Sequence, residues 1–187
     1  GQKIPIQTIR SAKFGGLNVH PSLLPRWRGA DPVPWAILSG DRQTGVTIVT
    51  LEEEFDNGKI IAQQKYPITD TDTSDPLRTK LFKMGADLLM KTLPDYISGD
   101  NKGILQKSSN TPYARRLTRD DGFIPWQELH QDLLDKKLRA LNPWPGVWTI
   151  FNEKRLKILA LRPSMIVQLE GKKPVRWEQF QQAYLAS

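Results

Sequence analysis

Gly16-Leu17-Asn18-Val19-His20-Pro21-Ser22-Leu23-Leu24-Pro25-Arg26-Trp27-Arg28-Gly29 joins an apolar strand, a polar pair and a proline-bracketed loop in one run. Alternate residues of a strand face the same side, so Asn18 and His20 aim an amide and an imidazole at one point while Leu17 and Val19 turn to the core. Pro21 and Pro25 each remove a backbone donor and fix φ, which ends the strand at His20 and makes the following segment a shaped loop. This is the geometry of a small polar site at a strand end.

Working outward, Gly1 to Ser11 reads as a loop with a helical turn leading into that strand. A helix is expected from about Asp31 to Ser39, because Pro32 suits a first turn, Trp35, Ile37 and Leu38 give an apolar face, and Gly40 stops it. Gly45 to Leu51 is β-branched and alternating, hence a strand, and Ile60 to Tyr66 is a second. Between them, Phe55-Asp56-Asn57-Gly58 is a turn in which Gly58 lets the chain fold back. Asp56 there either shapes an Asx-turn or carries chemistry. Glu52, Glu53 and Glu54 point in different directions along a strand end and read as a solvated edge. Thr73-Ser74-Asp75 and Pro76 open a long helix, with Leu77, Leu81, Met84, Leu88, Leu89 and Leu93 as its core face, ending near Gly99.

Residues 100–118 are polar and aperiodic, and include Ser108-Ser109-Asn110-Thr111-Pro112, which is linker chemistry. The expected organisation is therefore a first domain over 1–99, a linker over 100–118 and a second domain over 119–187. In the second domain Trp126 to Leu141 reads as a helix with its leucines on one side, and His130 on it as a solvated or locally bonded histidine. Val147 to Phe151, Leu156 to Leu161 and Met165 to Leu169 read as short strands, followed by a helix from Arg176 to Leu185.

Composition narrows the classes. At 187 residues, 39% hydrophobic and 25% charged, the chain can bury a core and reads as a globular protein with room for one domain and a small second one. It has no cysteine and two histidines, so no disulfide or thiolate site exists and no metal is expected. No apolar run approaches a membrane span or a signal peptide, and a cytoplasmic setting is expected. Residues 99–187 hold 15 Lys+Arg against 9 Asp+Glu, giving that half +6 of the net +7. Such asymmetry fits a face for a polyanion or a merely solvated basic surface, and composition leaves both open.

The combination Asn18-x-His20-x-Ser22-Leu23-Leu24-Pro25-x-x-Arg28-Gly29, then Gly45-Val46-Thr47-Ile48, then Phe55-Asp56-Asn57-Gly58, resembles the folate-dependent formyltransferases. Within them it is most similar to those acting on methionyl-tRNA. The likeness runs to about Gly99 and resumes at Arg139-Ala140-Leu141-Asn142-Pro143-Trp144-Pro145-Gly146. It implies an α/β fold: the C-terminal portion of a Rossmann-like formyltransferase domain, then a small OB-like β-barrel. The short span from Leu161 to Gly171 makes that barrel reduced or open. In the family, strands and helices precede the Asn-x-His strand, whereas this sequence opens almost at it. An incomplete parallel sheet is thus expected, with weak or absent activity unless a partner supplies the rest.

The resemblance also implies chemistry. The formyl group of 10-formyltetrahydrofolate goes to a primary amine, that of initiator methionyl-tRNA, on a monomeric enzyme. Asn18 and a protonated His20 would donate to the carbonyl oxygen as it gains charge. Asp56 would hold the proton on His20 and accept, through a water, the proton leaving the amine. Ser22, Leu23, Leu24 and Pro25 match the segment that lines the folate site. Arg26, Trp27 and Arg28 would touch tRNA or close the site, and the basic C-terminal half would hold tRNA. Two alternatives stand beside this reading: a formyltransferase for a nucleotide-linked amino sugar, and a non-catalytic fragment with RNA-binding character.

Overall fold

A computed structural model describes residues 4–107 and 110–185, so Gly1 to Lys3 and the Ser108-Ser109 pair of the expected linker lie outside the described residues. The chain forms two compact units, residues 1–116 and 117–187.

The first unit runs α1 (Ile6–Ser11), β1 (Leu17–His20), β2 (Arg28–Gly29), α2 (Pro32–Leu38), β3 (Gln43–Thr50), β4 (Ile60–Pro67), α3 (Ser74–Ser98) and β5 (Tyr113–Ala114). Its main sheet has the order β1-β3-β4. The expectation of parallel pairing is corrected here, because both described pairs are antiparallel. Residues 51–59, between β3 and β4, are fewer than the roughly dozen that a parallel crossover needs. Strand β3 is buried from Thr44 through Val49, as a central strand covered on both faces must be. Its register sets Asn18 opposite Val49 and His20 opposite Thr47.

Helix α3 covers this sheet with Leu77 and Leu81, which are 1% and 0% exposed. Met84, Leu88, Leu89 and Leu93 are only half-buried, so the expected core face is deep in its first two turns alone. Thr73 caps the helix by its carbonyl, which accepts from the Leu77 N–H at 3.0 Å, and its side chain makes no cap bond. Of residues 100–118, read as linker, two places are tied to this unit: Ile104 bridges Ile60, and β5 pairs in parallel with β2.

In the second unit the expected helix is shorter. Trp126–Glu128 is a separate 3-10 turn, and α4 spans Gln131–Leu141. His130 is its N-cap, with Nδ1 accepting from the Leu133 N–H at 3.4 Å. An imidazole that satisfies an orphan donor at a helix start has a structural reason to be there. Strands β6 (Val147–Phe151), β7 (Lys154–Ala160), β8 (Ile166–Leu169) and β9 (Val175–Arg176) form an antiparallel meander in chain order, followed by α5 (Trp177–Tyr184). Val147, Leu156, Ile158, Val167 and Leu169 are buried, with Arg155, Lys157 and Gln168 at alternating positions beside them. Trp126, Phe151, Trp177, Phe180 and Tyr184 close one end of the sheet, with neighbouring rings 5.0–6.2 Å apart. No helix among the described residues is long and apolar enough to cross a membrane.

Lys137 on α4 donates to the Asp121 and Phe123 carbonyls at 2.8 and 2.7 Å. Burial pushes its ammonium below the usual lysine range, with Asp121 and Glu128 pulling the other way. A lysine lowered in the folded state gives up its proton there first. Between the lowered value and the unfolded ~10.4 the unfolded chain binds more protons, and stability rises with pH. Denaturant unfolding of the wild type across that alkaline window should show this rise, and Lys137→Met should lack it.

Candidate active site

Strand β1 ends where Pro21 removes the next donor, leaving Asn18 and His20 at its C-terminal end with side chains to one side. Asp56 is brought to them by the β3–β4 turn. The Asn18 amide donates to Asp56 Oδ1 at 3.2 Å, and His20 Nδ1 lies 3.5 Å from the same oxygen. The other oxygen, Oδ2, accepts from the Gly29 N–H at 2.9 Å. One carboxylate thus meets an amide, an imidazole and a backbone donor. The His20 and Asp56 side chains are 4% and 11% exposed, so water competes little for the pair.

The second ring nitrogen of His20 is also engaged. Nε2 donates to the Trp27 carbonyl at 2.9 Å. Both imidazole nitrogens face protein acceptors, whereas the Asn18 NH₂ has two N–H bonds and uses one on Asp56.

Asp56 sits at φ +53°, a left-handed conformation that Asp tolerates better than most residues. What holds it there is Gln106, whose amide donates to the carbonyls of Asp56 at 2.7 Å and Gly58 at 2.8 Å. Gln106 Oε1 in turn accepts from Arg28 Nε and Nη2 at 3.0 and 2.7 Å. Sequence reasoning missed Gln106 because it lies in the aperiodic stretch read as linker, and a lone Gln signals nothing by type or spacing. Gln106→Ala removes both carbonyl contacts and should lower unfolding stability by about 1–2 kcal/mol, read from the denaturant midpoint.

Asn18, His20 and Asp56 share the wall of a cavity of about 420 Å³ with Pro21, Phe55, Phe82, Arg78, Tyr113 and Arg116 among its other residues. Of the segment expected to line a folate site, Ser22, Leu23, Leu24 and Pro25, none lies on that wall. Ser22 and Leu24 are 0% and 3% exposed. They are tied inward: Ser22 Oγ donates to the Arg26 carbonyl at 2.7 Å, and Thr47 Oγ1 bonds the Ser22 carbonyl at 2.6 Å and the Leu24 N–H at 3.1 Å. Arg26, Trp27 and Arg28 are likewise engaged within the unit, with Asp41, Asp41 and Gln106 respectively. Glu52, Glu53 and Glu54 are exposed, as a solvated edge is, and border a second cavity of about 330 Å³ whose lining also includes Asn18 and Asp56.

Comparison with known proteins gives a consistent result. The profile described as formyl transferase matches residues 1–93, and that described as formyl transferase, C-terminal domain, matches 116–166. The chain is 41% identical over 158 residues to the methionyl-tRNA formyltransferase of Listeria welshimeri, covering 84% of this chain and 50% of that protein. It is 37% identical over 174 residues to the methionyl-tRNA formyltransferase of Bartonella tribocorum, covering 91% and 56%. The chain therefore spans about half the length of the curated relatives it matches. The crystal structure of HypX from Aquifex aeolicus in complex with tetrahydrofolic acid is similar in fold, with a TM-score of 0.71 at 20% identity over 99% of this chain and 37% of that one.

Proposed function

The chain belongs to the formyl transferase family, and on that premise we propose that it takes part in moving the formyl group of 10-formyltetrahydrofolate to the amino group of initiator methionyl-tRNA. The observation that carries the reading is the meeting of Asn18, His20 and Asp56 on one cavity wall. The methionyl-tRNA names of the relatives at 37–41% identity favour this acceptor over an amino sugar.

The cavity fits the reacting end of such a donor. Its 420 Å³ falls among ordinary small-molecule sites of roughly 300–1,000 Å³, and apolar Pro21, Phe55 and Phe82 flank the polar trio. 10-Formyltetrahydrofolate would supply the one-carbon unit, its N10 leaving with a proton as the new amide bond forms. Asn18 would offer its spare N–H to the formyl oxygen, where charge grows as the amine attacks, in a pocket where a fixed donor needs no reorganisation. The attacking amine must lose a proton, and Asp56, directly or through a water, is the acceptor on the wall. His20 would face that carboxylate with Nδ1 while Nε2 stays anchored on the Trp27 carbonyl. Leu23 and Pro25, the half-buried members of their loop, are the ones with surface to offer folate, while Ser22 and Leu24 hold the loop in shape. The basic second unit, in which Arg155 and Lys157 alternate with inward Leu156 and Ile158, would take the tRNA, in a cytoplasmic, monomeric protein.

The test is direct. The chain, with 10-formyltetrahydrofolate, is offered methionyl-tRNA and a nucleotide-linked amino sugar in parallel. Formylation of methionyl-tRNA alone supports the proposal, and formylation of the sugar alone replaces it. Retention of tRNA with transfer to neither acceptor favours a non-catalytic RNA-binding role.

A further inference from the structure

Trp27 is held from every side. Its backbone lies at φ +62°, a left-handed conformation that a bulky residue keeps only when its surroundings fix it. Its backbone N–H donates to the Pro112 carbonyl at 3.1 Å. Its indole N–H donates to Asp41 Oδ2 at 2.7 Å, and its ring stacks on Trp35 at 6.5 Å. Asp41 is gripped by the fork of Arg26, Nε to Oδ2 at 2.8 Å and Nη2 to Oδ1 at 2.7 Å, and the same guanidinium covers the Trp27 ring at 4.6 Å. With amide, indole and ring faces fixed, the direction of the Trp27 carbonyl is fixed as well, and that carbonyl meets His20 Nε2 at 2.9 Å.

A carbonyl oxygen only accepts, so the contact places a hydrogen on Nε2 and leaves Nδ1 as the nitrogen facing Asp56. We propose that Asp41, which is not on the cavity wall, is a positioning residue for the site: by clamping the Trp27 indole it aims the Trp27 carbonyl at His20 and so sets which imidazole nitrogen carries the hydrogen. The chain of contacts runs from the Asp41 carboxylate through Trp27 to His20 and ends on Asp56. The pattern accounts for the burial of the Trp27 side chain and for the Arg26–Asp41 pair beside it. Only the kinetic consequence of this assignment rests on the proposed formyl transfer; the tautomer is a property of the folded chain.

The chain has two histidines, so His130→Asn, which keeps a capping side chain, leaves His20 as the sole imidazole for long-range proton–nitrogen NMR. In that background the neutral ring should show the Nε2–H pattern alone. Asp41→Ala should lose the single pattern and give averaged nitrogen shifts, and Asp41→Asn, which keeps an oxygen for the indole N–H, should restore it. A folded Asp41→Ala protein that retains the Nε2–H pattern overturns the proposal, since a merely structural Asp41 would lower the melting temperature without moving the tautomer. Should Asp41→Ala not fold, Trp27→Phe removes the indole donor and keeps an aromatic ring, and the same loss or retention decides. The readout needs no activity: transfer can be absent while the tautomer assignment stands, and the reverse also holds.

Discussion

Asn18→Ala is expected, on the transfer proposed above, to lower turnover by two to three orders of magnitude, about 3–4 kcal/mol of transition-state stabilisation, with little change in melting temperature. The separation of the two effects follows from where the side chain sits. Its amide is on the cavity wall and makes one hydrogen bond, to Asp56 Oδ1 at 3.2 Å. Losing that bond costs about 1 kcal/mol or less in a partly exposed position, because Asp56 keeps the Gly29 N–H and His20. Losing a donor aimed at the place where negative charge develops costs far more, because no solvent reorganises quickly enough to replace it. The loss should fall on kcat and leave the acceptor KM nearly unchanged, since the interaction strengthens only as charge grows. Asn18→Asp should be at least as damaging, because a second carboxylate beside Asp56 repels the same oxygen that needs a donor. Steady-state rates with methionyl-tRNA as acceptor measure both variants. Wild-type kcat in Asn18→Ala would remove the amide from the mechanism and leave the trio without an electrophilic member.

Much of this site is legible in the sequence because it depends on periodicity and turns. An Asn-x-His pair before a proline reads as a strand end with both side chains to one side, and a Phe-Asp-Asn-Gly run between two β-branched stretches reads as a turn. The first rule pairs Asn18 with His20, the turn leaves Asp56 open between shaping and chemistry, and the family resemblance is what groups it with the other two, beside which it is found. What the rules do not carry is everything decided by tertiary hydrogen bonding. Whether Ser22 and Leu24 face a cavity or the protein depends on Thr47, far along the chain, whose hydroxyl bonds both. The orientation of Arg26 depends on Asp41, and the shape of the Asp56 turn on Gln106. The half-burial of Leu88 and Leu93 shows a related limit, for heptad-like spacing identifies an apolar face without saying what covers it. In the second unit, the break at Leu129 that splits the expected helix has no signal stronger than a histidine acting as a cap.

Gly58→Ala is the second large effect expected, and it tests how tightly the turn beneath Asp56 is built. Gly58 is buried against β3, and a Cβ added to it would lie 1.9 Å from the Thr50 carbonyl oxygen and 2.7 Å from its carbon. Both are backbone atoms of the central strand, so no rotamer change relieves the overlap and the two segments must separate. Separation stretches the contacts that close the hairpin, Thr50 N–H to the Lys59 carbonyl at 2.9 Å and Lys59 N–H to Thr50 Oγ1 at 2.8 Å. Forced overpacking of this kind costs typically 1–3 kcal/mol, which should appear as a lower denaturant midpoint at unchanged slope. Asp56 lies two residues before the new methyl group, and Gln106 grips the carbonyls of both residues, so a displaced turn carries the carboxylate with it. A misplacement near 1 Å can cost on the order of 10²-fold in rate, so turnover should fall well beyond what the stability loss explains. The two readouts separate the causes: at a temperature where the variant is fully folded, the rate defect should persist. If midpoint and rate both match the wild type, the strand and the turn are not in the contact described, and the carboxylate must be held in place by Asn18, Gly29 and His20 alone.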